Sequence, residues 1–290
     1  MHLFCFGFGF TARALAARVL ERGWRVSGTV RDAADSAGSP AGVDLMIFDG
    51  ETPIADTGAR LAGVTHLLCS IPPDAAGDPV LRCHAGDLAA MAGDLDWAGY
   101  LSTTGVYGDH GGGLVDETTP PAPSAARSRA RAAAEAGWQA LYDADRFPLH
   151  IFRLAGIYGP GRNALRQLRA GRARRVVKPG HVFSRIHVAD AARVLDASMA
   201  RSAPGAIYNV CDDEAAPPQD VIAFAAALLG VDPPPEIAIE EAGLSPMAAS
   251  FYNDSKRVNN TRIKRDLGVD LHYPSYREGL RALLADEAGQ

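Results

Sequence analysis

Short apolar runs alternate along this chain with stretches in which apolar residues recur every three or four positions. The first run, residues 3–6, ends at Gly7 and is typical of a buried strand. After it, Ala12, Leu15 and Val19 fall on one face of an amphipathic helix. Gly23 follows the last apolar position and predicts the end of that helix. The chain therefore begins with a strand, a glycine turn and a helix.

The same periodicities predict further strands and helices along the rest of the chain. Strands are predicted at residues 24–30, 43–48, 64–70, 97–103 and 147–153, and helices at 79–92, 125–142, 188–200, 218–229 and 275–285. Strands that alternate with helices indicate a doubly wound parallel sheet of the α/β class. A Pro-rich turn at residues 232–236 indicates a loop inside a smaller C-terminal lobe.

The glycine turn matches the G-x-G-x-x-A fingerprint of dinucleotide-binding proteins, as Gly7-Phe8-Gly9-Phe10-Thr11-Ala12. Gly7 permits a tight turn, Gly9 leaves room for a pyrophosphate, and Ala12 lets the helix pack closely on its strand. The start of the helix then directs unpaired N–H groups toward the phosphates. We predict that residues 7–11 bind a dinucleotide. The alternative is a glycine turn in an ordinary βα unit.

The tip of the second predicted strand indicates which dinucleotide is bound. An acidic residue there is typical of NAD binding, whereas Arg31 suits the 2′-phosphate of NADP. Asp32 follows directly, so an exposed Arg–Asp loop is the alternative. We predict NADP as the cofactor, with NAD left open.

Two further strand ends are expected at the same edge of the sheet. Ser70, Ile71 and Pro72 follow the fourth strand, and we expect them to run along the cofactor. Residues 102–108 form a polar end to the fifth strand. This second segment is a natural place for chemistry.

Composition excludes several classes of partner. The chain has 290 residues, 47% of them hydrophobic and 22% charged, with a net charge of −5. No bulk basic field favours nucleic acid or an anionic membrane. The four cysteines are widely spaced and form no C-x-x-C pair, which predicts free thiols and no metal site. With no signal peptide ahead of the first strand, we expect a cytoplasmic protein.

Seven segments together resemble one family, the extended short-chain dehydrogenases/reductases of the NAD-dependent epimerase/dehydratase group. They are GFGFTA at 7–12, STTGVYG at 102–108, RLAGIYGPGR at 153–162, RIHVADAA at 185–192, IYNVCDDE at 207–214, KRVNNTRIKRDLG at 256–268 and YPSYREGL at 273–280. The resemblance implies a Rossmann-type parallel sheet that binds NAD(P), in residues 1–160. It further implies a small mixed α/β substrate lobe in residues 161–290, with segments around 181–211 returning to the main domain.

The resemblance also assigns catalytic positions, and one pair departs from the pattern. The family's hydroxyl catalyst corresponds to Thr103, but its Tyr-x-x-x-Lys pair corresponds to Arg127 and Arg131. Arginine stays protonated in proteins, so Arg127 cannot act as a general base. Arg131 can still donate hydrogen bonds to ribose hydroxyls; alternatively, both arginines lie on an exposed helix face. Tyr107 and Tyr158 are the substitute acids that we consider.

A second departure concerns the substrate side. Many nucleotide-sugar enzymes of the family carry an arginine four residues before the histidine of I-H-V, and Phe183 occupies that position here. A nucleotide-diphospho-sugar substrate is therefore not indicated. Thr104, Arg162 and Arg185 are the substrate-side candidates, with surface charge as the alternative for the two arginines. The histidine itself, His187, is interpreted as a core residue.

Two functions from different classes follow. The first is an atypical, NADP-preferring oxidoreductase or epimerase that acts on a small polar or sugar-like carbonyl or alcohol. The second is a catalytically silent redox sensor that binds NAD(P)(H), which the loss of the Tyr/Lys pair favours. The family often dimerises through helices such as 125–142, so a homodimer is considered, although the Ala-rich surface of this helix permits either outcome.

Overall fold

Seven parallel strands form the central sheet of the protein, whose computed structural model describes residues 1–201 and 203–288. The strands are β1 (His2–Phe6), β2 (Arg25–Val30), β3 (Val43–Ile47), β4 (His66–Cys69), β5 (Trp97–Thr103), β6 (Leu114–Val115), β7 (Leu149–Leu154), β8 (Gly156–Tyr158), β9 (Arg175–Val177), β10 (Arg185–His187), β11 (Ala206–Val210), β12 (Glu236–Ala238) and β13 (Arg257–Val258). The helices are α1 (Phe10–Leu20), α2 (Thr57–Leu61), α3 (Pro79–Met91), α4 (Ala126–Asp145), α5 (Ala164–Arg169), α6 (Val188–Met199), α7 (Pro218–Leu229), α8 (Pro246–Asn253), α9 (Thr261–Leu267) and α10 (Tyr276–Ala288).

The order of strands across the sheet is β11-β7-β5-β4-β1-β2-β3, and every neighbouring pair is parallel. The predicted doubly wound α/β sheet is therefore confirmed. All six strands predicted from apolar runs lie in it, and β11 is a seventh that was not among them. The remaining short strands pair two by two outside the sheet, as β8 with β10, β9 with β12 and β6 with β13.

Both faces of the sheet are covered by helices, which explains why β1 is buried at all five positions. On one face, α1 and α6 pack through Leu15, Val19 and Leu195. On the other, α3 and α4 pack through Leu88 and Trp138. A doubly covered sheet is anchored on both sides, so its carboxyl edge is a rigid base for the loops there.

The C-terminal end of α4 differs from the prediction for a local reason. The helix predicted at 125–142 continues to Asp145 as α4. It ends there because the next residue, Arg146, adopts the left-handed conformation, with φ 55°. The Arg146 N–H closes the last turn on the carbonyl of Tyr142. An arginine at this position carries none of the glycine signal that marks most such ends.

The C-terminal lobe has its own small core, where α5, α7 and α10 meet. Leu165 on α5, Ile222 on α7 and Leu280 on α10 are buried against one another. This lobe lies beyond the carboxyl ends of the central strands, since β8 continues directly from β7. Within residues 1–201 and 203–288, no helix combines the length and apolarity needed to cross a bilayer.

Candidate functional site

A cleft of about 490 Å³ runs along the carboxyl ends of β1, β4, β5 and β7. Parallel α/β sheets bind ligands at this edge, where the loops after several strands converge. One end of the cleft is formed by the start of α1, and the other by α4 and the segment that joins α8 to β13. Its polar residues therefore come from widely separated parts of the chain.

The glycine turn is held in place by the strands beside it. Gly7 has φ 84°, and its N–H donates to Oγ1 of Thr29 over 2.8 Å. The Ser70 hydroxyl donates to the Gly7 carbonyl over 2.6 Å. At Gly9 a Cβ atom would meet no other atom within 4 Å, and no side chain caps the start of α1. The open backbone and free N–H groups fit the pyrophosphate of a dinucleotide.

The other predicted cofactor residues lie on both sides of this turn. Phe10, Thr11, Ser70 and Pro72 line the cleft. Phe8 is buried beneath the turn in the core shared with α1, with 3% of its surface exposed.

Ile71 differs from the expectation that it runs along the cofactor. Its Cγ1 atom would lie 2.8 Å from a Cβ at Gly7, so the Ile71 side chain packs behind the turn. Two of the three predicted residues after β4, Ser70 and Pro72, remain on the cleft wall.

At the tip of β2, Arg31 is exposed and Asp32 is engaged locally. The Asp32 carboxylate accepts hydrogen bonds from the N–H groups of Ala34 and Asp35, over 2.8 and 3.2 Å, and so caps a short 3-10 helix. Arg13 on α1 donates to carbonyls of the same loop, those of Asp35 and Ala37. Both side chains are exposed, and of the two it is the Asp32 carboxylate that the loop holds in place.

Opposite the glycine turn, Thr103, Ser128 and Lys256 line the cleft; we call these three residues the polar wall. Oγ1 of Thr103 accepts from the Gly105 N–H over 3.1 Å, which leaves the hydroxyl proton available for a substrate oxygen. A Cβ at Gly105 would lie 2.8 Å from Oγ of Ser128 and 3.4 Å from Oγ1 of Thr103. The missing side chain of Gly105 thus lets the two hydroxyls approach each other.

Arg127 and Arg131 both line the cleft from α4. The Arg131 guanidinium donates from Nη1 to the Leu101 carbonyl over 2.8 Å and to the Tyr100 hydroxyl over 3.2 Å. Arg127 is exposed and lies over the ring of Phe251, 3.9 Å from its centroid. Since each carries a permanent charge, the two arginines supply hydrogen-bond donors to the cleft but no acid or base.

Tyr107, expected as a substitute acid, is not brought to the cleft. Its side chain is fully buried, and its hydroxyl donates to Oδ1 of Asn209 over 2.7 Å. The Arg153 guanidinium lies over the ring and is paired with the buried carboxylate of Glu135 over 2.7 Å. Burial raises the pKa of Tyr107, partly offset by Arg153. Tyr107 therefore supports the turn after β5 from behind.

Tyr158, Arg162 and Arg185 line a second cavity of about 360 Å³, which adjoins the cleft at Arg162. The Tyr158 hydroxyl faces the Ser275 carbonyl at 3.4 Å, and burial raises the pKa of Tyr158 far above its ordinary range. Arg185 donates to the carbonyls of Phe183 and Ala216. Tyr158 and Arg185 are thus separated from Thr103 and Thr104, which line the cleft.

His187 is buried at the start of α6, as its interpretation as a core residue requires. Its Nδ1 accepts from the Ala189 N–H over 3.2 Å, and its ring packs against Tyr158 and Tyr273. Burial lowers the pKa of His187 to about 4, so the ring is neutral near pH 7.

Sequence reasoning missed two of the three residues of the polar wall. Ser128 follows Arg127 on a helix rich in alanine and arginine, and no motif marks it. Lys256 lies 128 positions further along the chain, in a segment that carried family likeness but no assigned role. The one sequence signal for Lys256 was that lysine is rare in this chain, which has only Lys178, Lys256 and Lys264.

The parallel sheet, the open glycine turn and the cleft above it define a Rossmann-type nucleotide-binding protein. Residues 88–211 match the model of the NAD dependent epimerase/dehydratase family. A conserved protein of unknown function from Silicibacter pomeroyi is 55% identical, with 98% of each chain covered and a TM-score of 0.92. The protein therefore belongs to the NAD-dependent epimerase/dehydratase family.

More distant solved structures share the fold. The dTDP-glucose 4,6-dehydratase of Bacillus anthracis, in complex with NAD, is 17% identical, with 100% of this chain and 97% of that chain covered and a TM-score of 0.78. The UDP-glucuronic acid 4-epimerase of Bacillus cereus, also in complex with NAD, is 16% identical, with 98% and 96% covered and a TM-score of 0.78. A comparison with curated proteins finds no match.

Proposed function

We propose that the protein is a nicotinamide dinucleotide-dependent oxidoreductase or epimerase that prefers NADP and acts on a small polar or sugar-like carbonyl or alcohol. The observation that carries this proposal is the continuity of one cleft of about 490 Å³, from the open glycine turn to the polar wall. The NAD named with both distant relatives supports a dinucleotide at the turn. The hydroxyls opposite it support a substrate that has an oxygen to polarise.

The preference for NADP is supported by the charges at the tip of β2. Oδ1 of Asp32 accepts two backbone N–H groups, which holds this carboxylate against its own loop. Arg31 is exposed beside it and can pair with a 2′-phosphate. A phosphate at this position would neutralise a cation that has no acidic partner among the described residues.

The bound nicotinamide would supply or accept hydride, and the side chains of the cleft position the substrate for it. The Thr103 hydroxyl donates a hydrogen bond to the substrate oxygen, which stabilises negative charge on that oxygen. Arg131 uses Nη1 for the Leu101 carbonyl and keeps other N–H groups for ribose hydroxyls. Arg162 lies where the cleft meets the second cavity and is the substrate-side cation of this arrangement.

A sensor without turnover is the second candidate, and one observation favours it. Arg127, at the position of the family's catalytic tyrosine, lies against Phe251 with no dissociable proton. A screen of NADPH oxidation over small hydroxy-aldehydes and hydroxy-ketones separates the two functions. Turnover supports the enzyme, whereas tight nucleotide binding with no turnover over the whole panel supports the sensor.

The cofactor itself is tested by following nicotinamide fluorescence during titration with NADPH and NADH. We expect NADPH to bind more tightly, and Arg31→Ala to weaken NADPH about tenfold to a hundredfold while NADH is unaffected, because a charge-assisted hydrogen bond contributes about 1.5–3 kcal/mol. Arg60→Ala is the matched control, since Arg60 is exposed on α2 and does not line the cleft. Equal loss in both variants, or equal binding of both nucleotides, contradicts the NADP preference.

A further inference from the structure

Lys256 is the member of the polar wall whose chemistry the proposed function leaves unused. It lies between α8 and β13, lines the cleft, and is buried with 7% of its surface exposed. Its Nζ donates to the Gly108 carbonyl over 2.7 Å. Gly108 ends the turn that begins at Thr104, directly after Thr103. One hydrogen bond thus ties the ammonium to the turn that carries the Thr103 hydroxyl.

The ammonium keeps protons that can reach a substrate. A lysine ammonium has three N–H donors, and one of them is used by Gly108. The carboxylate of Asp254 stands 4.0 Å from Nζ, beyond ordinary hydrogen-bond distance. Among the described residues, no further acceptor is bonded to Nζ. The remaining N–H groups are free for an oxygen in the cleft.

Few groups in the cleft can exchange a proton. The charged residues that line it are Arg127, Arg131, Arg162, Asp254 and Lys256. The three arginines do not deprotonate in proteins, and no tyrosine or histidine lines this part of the described structure. An acid that both carries a proton at neutral pH and can release it is therefore supplied by the lysine.

The surroundings of Lys256 tune its basicity. Burial lowers its pKa from the ordinary value, and the carboxylates of Asp254 and Asp109 act in the opposite direction. His181 also faces it, and burial, followed by the charge of Lys178, lowers the pKa of His181 to about 4. The imidazole of His181 is therefore neutral near pH 7, and it adds no positive charge beside the Lys256 ammonium.

We propose that the ammonium of Lys256 is the proton donor to the substrate oxygen, taking the place of the absent catalytic tyrosine. In the direction of reduction, the carbonyl carbon accepts hydride from reduced nicotinamide dinucleotide, the C=O π bond breaks, and its oxygen takes a proton from Nζ. The products are the alcohol, the oxidised dinucleotide and a neutral amine, which water reprotonates. In the direction of oxidation the neutral amine removes the hydroxyl proton. This assignment rests on the oxidoreductase function proposed above.

The test compares Lys256→Arg and Lys256→Ala with Lys264→Arg, an exposed lysine paired with Asp213. Reduction of glyceraldehyde and related hydroxy-carbonyls by NADPH is followed, with NADPH binding measured in parallel. We expect both Lys256 variants to lower kcat about a hundredfold or more, the usual contribution of general acid catalysis, with little change in KM. Ethylamine should restore turnover to the alanine variant but not to the arginine variant, whose charge is kept without a dissociable proton.

The pH profile gives an independent readout. Reduction needs the protonated lysine, so wild-type kcat should fall as pH rises through the pKa of Lys256, and this limb should disappear in Lys256→Arg. Because the chain has three lysines, ¹³C labelling of their ε carbons gives three signals, and the one lost in Lys256→Arg should titrate at the lowest pH.

Each remaining outcome is decisive. Wild-type kcat in Lys256→Arg, loss of NADPH binding in the same variant, or a Lys256 signal that titrates with the other two overturns the assignment while the proposed function stands. If wild-type protein binds NADPH but reduces none of the carbonyls, the sensor is supported and the assignment falls. If it binds neither nucleotide, the proposed function itself fails.

Discussion

An added methyl group should have different effects at the two glycines of the turn. At Gly7 it should lower the stability of the fold, and at Gly9 it should weaken nucleotide binding. Gly7→Ala places a Cβ 2.8 Å from Cγ1 of Ile71 and 2.9 Å from Oγ of Ser70, at φ 84°. The left-handed conformation costs a non-glycine residue about 1–2 kcal/mol, and overpacking adds about 1–3 kcal/mol. We expect a loss of about 3 kcal/mol of stability and a fall in Tm of about 6–12 °C.

Gly9→Ala should leave stability unchanged and weaken nucleotide binding. Gly9 has φ −88°, which any residue adopts, and its Cβ would meet nothing within 4 Å. That open space is where we place the pyrophosphate. A methyl group there displaces the phosphates by a contact that costs about 1–3 kcal/mol, which corresponds to about tenfold to a hundredfold in Kd.

The assay pairs urea unfolding with NADPH titration for both variants and for Gly86→Ala. Gly86 lies within α3, away from the cleft, and its Cβ would also meet nothing within 4 Å. This control should bind NADPH normally and gain about 0.5–1 kcal/mol of helix stability. Wild-type NADPH affinity in Gly9→Ala would refute the placement of the pyrophosphate. Wild-type stability in Gly7→Ala would refute the account of the turn.

Two further predictions concern the folded state. Glu135→Ala leaves the Arg153 guanidinium buried and unpaired, so urea unfolding should show a loss of about 3–5 kcal/mol. Glu287→Ala, which removes an exposed partner of Arg169, should cost under about 1 kcal/mol, and similar losses would contradict the role of burial. Burial lowers to about 4 the pKa values of His2, His150, His181 and His187. In the unfolded chain these imidazoles take up protons below about pH 6.5, whereas in the folded protein they stay neutral until about pH 4. The free energy of unfolding should therefore fall as the pH is lowered from about 6.5 to about 4. His150→Asn should reduce the decrease in the urea midpoint between pH 7 and pH 5. An unchanged slope in His150→Asn would count against this explanation.

The sequence determined those features that depend on neighbouring residues. Apolar runs located the first six strands of the sheet, because strands covered on both faces carry apolar side chains at nearly every position. Gly7 and Gly9 marked the turn, since a positive φ and an open backbone need glycine whatever the surroundings. The prediction of a cofactor site at this edge rests on the same local pattern. Helix ends were less accurate where Arg146, rather than glycine, adopts the terminating conformation.

The polar wall of the cleft was decided by the tertiary structure. Thr103, Ser128 and Lys256 are separated by 25 and 128 positions, and no periodicity within one element records that they meet. Tyr107 lies in the family-like segment 102–108, yet its hydroxyl is buried and donates to Asn209 on β11. The Arg153–Glu135 pair lies beside it behind the turn. Local sequence encodes which side of an element is buried. Which side chains share a cleft depends on how distant elements pack, and that is set by the whole core.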